Sequence, residues 1–252
     1  MGRGSVREAP TLYRVFKGVL RPVVEVALQP RVEGVEHVPR SGAAILCANH
    51  LSVMDPVVVA LAVPRTVFYL GKSEHFARRW RWLFESLGVL PVARQGGTAG
   101  EGSLERGREV LAAGALLGIY PEGTRSPDGR LYRGKTGAAR LAARTGAPLL
   151  PVGVRGTREV LPPGAKRPRR APVTVRIGPP LDVSHLRGRD ADRQALRATT
   201  DALMAAIAAL SGQPYADVYA AQARAAQRAR DPGRELSRLR PDDDALTLDG
   251  PR

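Results

Sequence analysis

Ala43-Ala44-Ile45-Leu46-Cys47-Ala48-Asn49-His50-Leu51-Ser52-Val53-Met54-Asp55-Pro56 is an apolar run that gives way to polar residues and then to a proline. A short apolar run bounded by turn residues reads as a buried strand. Ser52 offers an N-cap, and Pro56 falls in the first turn of the apolar helix that follows. The stretch therefore predicts a strand over 43–48, a helix over 53–61, and His50 at the mouth of the turn between them. Asp55, at the helix start, is placed to curl back and hold the imidazole ring. An imidazole with an ordinary pKa of about 6.5 is suited to take a proton at neutral pH. A carboxylate behind it fixes the tautomer and stabilises the cation that forms. Read without its surroundings, the pair is equally a structural contact at a helix start.

A second stretch supplies what the first lacks. Tyr120-Pro121-Glu122-Gly123-Thr124-Arg125-Ser126 follows the apolar run Ala115–Ile119 and reads as a loop at a strand end. Gly123 lets backbone N–H groups approach an anion, Thr124 and Ser126 add hydroxyls, and Arg125 adds a planar fork that matches phosphate oxygens. Glu122 cannot face an anion directly, so its expected task is to position Arg125 or a backbone amide. The bland alternative is a β-turn with a surface arginine.

Around these two stretches, strands expected over 66–70, 88–93, 115–120, 148–154 and 173–177 alternate with helices. The helices are expected from Ser73 or Glu74 to Leu87 and over 103–113, 136–145 and 190–210. In the first of these, Phe76, Trp80, Leu83, Phe84 and Leu87 share one face, with Arg78, Arg79, Arg81 and Trp82 off it. Alternation of this kind predicts an α/β fold, a mostly parallel or mixed sheet with helices on both faces. His50, Arg94 and Glu122 then all fall at strand ends, where ligands gather in such sheets. Residues 12–28 are interrupted by Arg14, Lys17, Arg21 and Glu25, and read as one or two interfacial helices kinked at Pro22. The Ala/Arg-rich stretch from Tyr215 reads as a further helix, and the polar stretch from Asp231 as a disordered tail. The expected organisation is a membrane-interfacial segment over 1–30, one catalytic domain over 31–212, and a helix with tail over 213–252.

Together the His50/Asp55 block and the Glu122–Arg125 block resemble the glycerophosphate acyltransferase superfamily, in particular its 1-acylglycerol-3-phosphate acyltransferases. Two more stretches stand in the family's order: Gly88-Val89-Leu90-Pro91-Val92-Ala93-Arg94 and Leu149-Leu150-Pro151-Val152-Gly153-Val154. Leu90-Pro91-Val92-Ala93 departs from the pattern, where the family has aromatic or β-branched residues and an acid before the arginine. The resemblance implies acyl transfer from acyl-CoA or an acyl-carrier protein to the free hydroxyl of a lysophosphatidate or related lysolipid. It implies His50 as general base and Asp55 as its support. It gives Arg94, Glu122, Gly123, Thr124, Arg125 and Lys135 to the substrate phosphate, and places Pro151 near the acyl site.

Composition narrows the partners. The 252 residues carry 39 Lys and Arg against 24 Asp and Glu, a net charge of +15. Such a chain attracts phosphates, and with aromatics at 5% there is no base-stacking platform for nucleic acid. An anionic membrane surface is the expected partner, with the protein peripheral on the cytoplasmic face. The single cysteine, Cys47, permits no internal disulfide and suits a reducing compartment. No metal-ligand cluster and no cofactor are expected. Three rivals remain. Gly129-Arg130-Leu131-Tyr132-Arg133-Gly134-Lys135-Thr136 matches the P-loop pattern but does not start off a strand. A thioester hydrolase would use Ser52 with His50. A basic membrane- or nucleic-acid-associated binding protein would have no need of His50 or Asp55.

Overall fold

The computed structural model describes residues 11–72, 88–92, 99–165 and 167–230. Strand β2 (Ala44–Ala48) is buried along its whole length, and the layers are built around it. Ile45 and Cys47 point into one core while Ala44, Leu46 and Ala48 point into the other. A strand apolar on both sides must be covered on both sides, which is the pattern of a parallel sheet between helices.

Four further strands extend the sheet in parallel: β3 (Val67–Lys72), β4 (Val89–Val92), β5 (Leu116–Ile119) and β7 (Leu149–Arg155). β1 (Arg31–Glu33) and β8 (Thr174–Ile177) complete it, giving the order β1-β8-β7-β2-β5-β3-β4. β8 runs antiparallel to β7, so the sheet is mixed at one edge. The two-residue strand β6 (Leu131–Tyr132) stands outside this sheet. One face carries helices α3 (Ala99–Ala112), α4 (Gly137–Thr145) and α6 (Arg193–Ser211), through Leu104, Val110, Leu141, Leu203 and Ile207. The other carries α1 (Thr11–Leu28) and α2 (Asp55–Ala62), through Val24, Leu28, Val58 and Val59. Burying each such side chain contributes about 2 kcal/mol.

Local signals end these helices where chemistry demands it. Asp192 caps α6, its Oδ1 accepting from the backbone N–H of Gln194 and Ala195 at 3.0 Å each. Gly146 closes α4 in the left-handed conformation expected of a C-cap, and the one-turn helix α5 (Thr157–Val160) follows β7.

Three readings are changed or narrowed. Helix α2 starts at Asp55 rather than at residue 53, and Ser52 is not its N-cap; the cap position is Met54, with no side-chain cap bond. Of the one or two helices expected at the N-terminus there is one, which contains Pro22, with Tyr13, Val24 and Leu28 buried and Val15, Val19 and Val26 exposed. The further helix at the C-terminus begins later than Tyr215. Gly212 ends α6, strand β9 (Tyr215–Ala216) pairs with β6, and only then does α7 (Ala220–Arg230) begin. The expected helix at 73–87, Arg94 and the tail from Asp231 lie outside the described residues. Among the described residues no helix is long and apolar enough to cross a membrane.

Strand β7 and helix α6 approach closely at Gly153, where an added Cβ would lie 2.5 Å from the backbone carbon of Leu210. Gly153→Ala is expected to destabilise the fold by at least about 2 kcal/mol, since backbone cannot step aside as a side chain does. Gly137, with open space at its Cβ position, should gain about 0.5 kcal/mol as alanine. Denaturant unfolding of the two variants checks the pair.

Candidate active site

Strands β2 and β5 are neighbours in the sheet and run parallel, so their C-terminal ends open onto the same edge. The turn after β2 carries His50 and Asp55; the loop after β5 carries Glu122 to Ser126. His50 Nδ1 lies 2.8 Å from Asp55 Oδ2. That oxygen also accepts from the backbone N–H of Leu51 at 2.6 Å and of Ser52 at 2.8 Å. The other oxygen, Oδ1, accepts from the Thr157 hydroxyl at 2.5 Å. Asp55 is fully buried, and a buried carboxylate is stable only when its oxygens are satisfied in this way. A carboxylate can only accept, so the proton of the imidazole sits on Nδ1 and Nε2 is the basic position. The His50 ring is stacked on Tyr120, with centroids 4.0 Å apart and planes 20° from parallel. Hydrogen bond and stack fix the ring in two directions.

Glu122 joins the two turns. Its Oε1 accepts from the backbone N–H of His50 at 2.9 Å and its Oε2 from that of Tyr132 at 3.0 Å. The return link is the Ser126 N–H, which donates to the His50 carbonyl at 2.7 Å. Burial pushes the Glu122 carboxyl up to about 7, against the two backbone bonds, with Asp55 and Asp128 adding to the rise. Glu122 therefore lies beneath the loop, at 1% exposure, with both carboxylate oxygens taken by backbone N–H groups. Of its two expected tasks, it holds backbone amides and not Arg125.

Gly123 takes a φ of 73°, and its Cβ position would lie 3.0 Å from Cε and Nζ of Lys135. A side chain there would be strained and would displace the lysine. The Lys135 N–H donates to Pro121 O at 2.8 Å, which fixes its chain beside the loop. Arg125 is half-buried, and its guanidinium makes no hydrogen bond or ion pair among the described residues. Burial lowers its pKa and the Asp55 charge opposes the fall. The backbone N–H groups of Thr124 and Arg125 likewise donate to nothing among the described residues. A cation and two amides left open around one glycine turn are groups of the kind that bind an anion.

The remaining expected residues fall elsewhere. Pro151 lies inside the sheet in register with Cys47, short of the strand end, with its ring against the Gly178 position; the structure does not bring it into the cluster around His50. Ser52 is 2% exposed, donates to Leu161 O and accepts from Met54 N–H, both at 3.3 Å, so it is not presented as a hydrolytic nucleophile. The P-loop match dissolves because its middle is strand β6, and Gly134 is small to admit Met204 of α6, whose Sδ would lie 2.7 Å from an added Cβ. Among the described residues no group of three His, Cys, Asp or Glu side chains is placed to hold a metal.

Sequence reasoning gave no role to four residues. Thr157 and Tyr120 grip the Asp55–His50 pair as described. Arg158 donates to Ser126 O at 3.2 Å and to Pro127 O at 3.0 Å. Asn49 spans strands with its side chain, Nδ2 donating to Val154 O at 2.8 Å and Oδ1 accepting from Val154 N–H at 2.7 Å. Only Tyr120 had a local signal, an aromatic ending the apolar run before the loop.

The family model described as Acyltransferase matches residues 29–155. A chloroplastic 1-acyl-sn-glycerol-3-phosphate acyltransferase of Arabidopsis thaliana is 34% identical over 137 residues, 54% of this chain and 38% of that protein. The chain thus spans about two fifths of the length of that relative, and 40% of a similar one from Brassica napus. A 1-acyl-sn-glycerol-3-phosphate acyltransferase of Bacillus subtilis is 26% identical over 198 residues, 76% of this chain and 93% of that protein. Among solved structures, the 1-acyl-sn-glycerophosphate acyltransferase PlsC of Thermotoga maritima superposes with a TM-score of 0.59 at 25% identity, covering 77% of this chain and 75% of that one.

The Glu122 carboxyl supplies a test of the framework. Its folded value of about 7 lies above the ordinary 4.5. The folded state therefore holds a proton that the unfolded chain releases. The stability this group contributes is full below about pH 4.5 and is lost as pH rises through about 7. Relative to Glu122→Gln, the wild type should lose roughly 3 kcal/mol of unfolding free energy between about pH 4.5 and pH 8. Denaturant titrations of both proteins at the two pH values measure it; a constant difference would place Glu122 in the ordinary carboxyl range.

Proposed function

The chain belongs to the Acyltransferase family, and from that premise we propose that it moves a fatty acyl group from a thioester to the free hydroxyl of 1-acyl-sn-glycerol-3-phosphate, giving phosphatidate. The observation that carries the reading is the junction of the two turns. The Ser126–His50 and His50–Glu122 bonds join the turn that carries a supported imidazole to the loop that carries an open guanidinium and two open amides. An acceptor anchored by its phosphate at Arg125, Thr124 and Gly123, with Lys135 adjoining, has its glycerol hydroxyl within reach of His50. Arg94, by its place in the motif order, is proposed as a further phosphate ligand.

His50 Nε2 takes the hydroxyl proton as the oxygen attacks the thioester carbonyl, and the Asp55 carboxylate stabilises the imidazolium. The carbon–sulfur bond then breaks, the thiolate leaves with the proton from His50, and the ester remains on the acceptor. The step needs no resident cofactor or metal. The donor is proposed to be acyl-CoA or an acyl-carrier protein. The exposed Val15, Val19 and Val26 of α1 and the net charge of +15 support work at an anionic membrane surface, which we place on the cytoplasmic side.

Incubating the purified protein with an acyl thioester and 1-acyl-sn-glycerol-3-phosphate should yield phosphatidate; release of free fatty acid without acceptor acylation would overturn the reading. His50→Ala should lower kcat by about 10²–10⁴ in a protein that still folds. Arg125→Ala should chiefly raise KM for the acceptor by about tenfold or more, the expected loss of a charge-assisted phosphate contact. Steady-state kinetics with each substrate varied in turn separates the two effects.

A further inference from the structure

The chain beyond α6, which lies outside the matched family segment, returns to the phosphate loop and grips it at several points. Gln213 spans two elements, its Oε1 accepting from Asn49 Nδ2 and its Nε2 donating to Gly129 O, both at 2.6 Å. Pro214 O accepts from Leu131 N–H at 2.9 Å, and Val218 O from Arg133 N–H at 3.0 Å. Between these bonds β9 lies parallel to β6, with Tyr132 opposite Ala216. The Arg133 guanidinium sits 5.6 Å over the Tyr219 ring. Finally, Arg224 of α7 reaches the loop itself and donates through Nη2 to the carbonyl of Arg125 at 2.9 Å.

Strand β6 is therefore held from both sides, by the Glu122 carboxylate on one and by β9 on the other. The apolar content of the contact is small, with Ala216, Ala220 and Ala223 packed on Tyr132. Short side chains bury little area, so hydrophobic stabilisation alone gives the segment little reason to dock. Its docking is carried by directed bonds, and these converge on the main chain of the residues that bracket the anion cradle. A guanidinium on the Arg125 carbonyl fixes the backbone from which the phosphate-binding side chain springs, and it brings a second positive charge to that loop.

We propose that residues 213–230 are a strap that pre-orders the acceptor-phosphate loop, with Arg224 as the positioning residue for Arg125. The inference rests on the reading of Arg125 as a ligand of the acceptor phosphate. It assigns the C-terminal segment to acceptor affinity and leaves donor binding to other parts of the molecule. A loop ordered in advance binds its anion without first losing conformational freedom.

The test varies acceptor and donor separately in the full chain. Arg224→Ala should raise KM for 1-acyl-sn-glycerol-3-phosphate about five- to tenfold, with KM for the acyl donor and kcat near wild type. Arg224→Lys, which keeps a donor of the same charge, should recover part of the loss. An unchanged acceptor KM overturns the strap, and so does a parallel rise of both KM values, which marks general loosening. Arg125→Ala is the reference: if it too leaves acceptor KM unchanged, the phosphate reading has failed rather than the strap alone. Amide hydrogen exchange of the wild type with inorganic phosphate gives a second readout that needs no variant. Coupling between loop and strap is reciprocal, so phosphate should slow exchange over residues 220–230 as well as in the loop. Slowing in the loop alone overturns the strap; slowing in neither overturns the phosphate site and the strap with it.

Discussion

The carboxyl group of Glu122 is the constraint on which the site depends. It is buried, it accepts the backbone N–H of His50 on one oxygen and that of Tyr132 on the other, and burial holds its pKa near neutrality. A side chain of this kind is unfavourable to bury, and it persists because each oxygen replaces a water with a peptide donor. What it secures is distance. Without it, the turn after β2 and the loop after β5 would be two independent excursions from the sheet edge. With it, and with the Ser126–His50 bond, they form one piece.

The two buried carboxylates divide the labour. Asp55 accepts hydrogen bonds from the His50 ring, two backbone amides and the Thr157 hydroxyl; the hydrogen bonds of Glu122 among the described residues go to main chain alone. One sets the chemistry of a ring and the other sets where that ring's backbone stands. Both sit at the C-terminal edge of neighbouring parallel strands, the edge at which α/β sheets place their ligands. Tyr120 shows how economical the arrangement is. It ends the β5 run, stacks face to face on the His50 ring, and lies 6.0 Å from the Tyr69 ring in a nearly parallel pile. Burial raises the pKa of both phenols, so neither titrates in the range where an imidazole works.

Much of this was legible in the residues. The β2 run, apolar on both faces, fixed a covered parallel strand. The spacing of His50 and Asp55 suited a turn, and the glycine and arginine of the second stretch suited an anion. Local signals failed where a partner is remote in sequence. Thr157 binds Asp55 from 102 positions away, and a lone threonine after a strand carries no periodicity or spacing to announce that. Gln213 and Arg224 are hidden for the same reason, amid an Ala/Arg-rich stretch whose composition says only helix. Ser52 misled in the other direction: it has the chemistry of a cap, but the Asp55 carboxylate took the nearby amides and the helix began later. The Gly129–Thr136 pattern misled because a glycine serves equally to admit a phosphate or a methionine, and here Met204 occupies the space.

Asn49 has a consequence for where regularity in the sheet stops. Its amide offers Val154 one donor and one acceptor, the pair a peptide group would have offered. The ladder between β2 and β7 is thereby prolonged by a substitute for main chain, while the true main chain is already turning toward His50. The boundary between the sheet and the turn that carries His50 is thus written by a single codon, at a place where other strands rely on atoms no mutation can alter. An aspartate there would set a carboxylate oxygen against the Val154 carbonyl, and a longer glutamine would overshoot it. The departure point of the turn that carries His50 thus depends on a side chain that imitates a peptide bond.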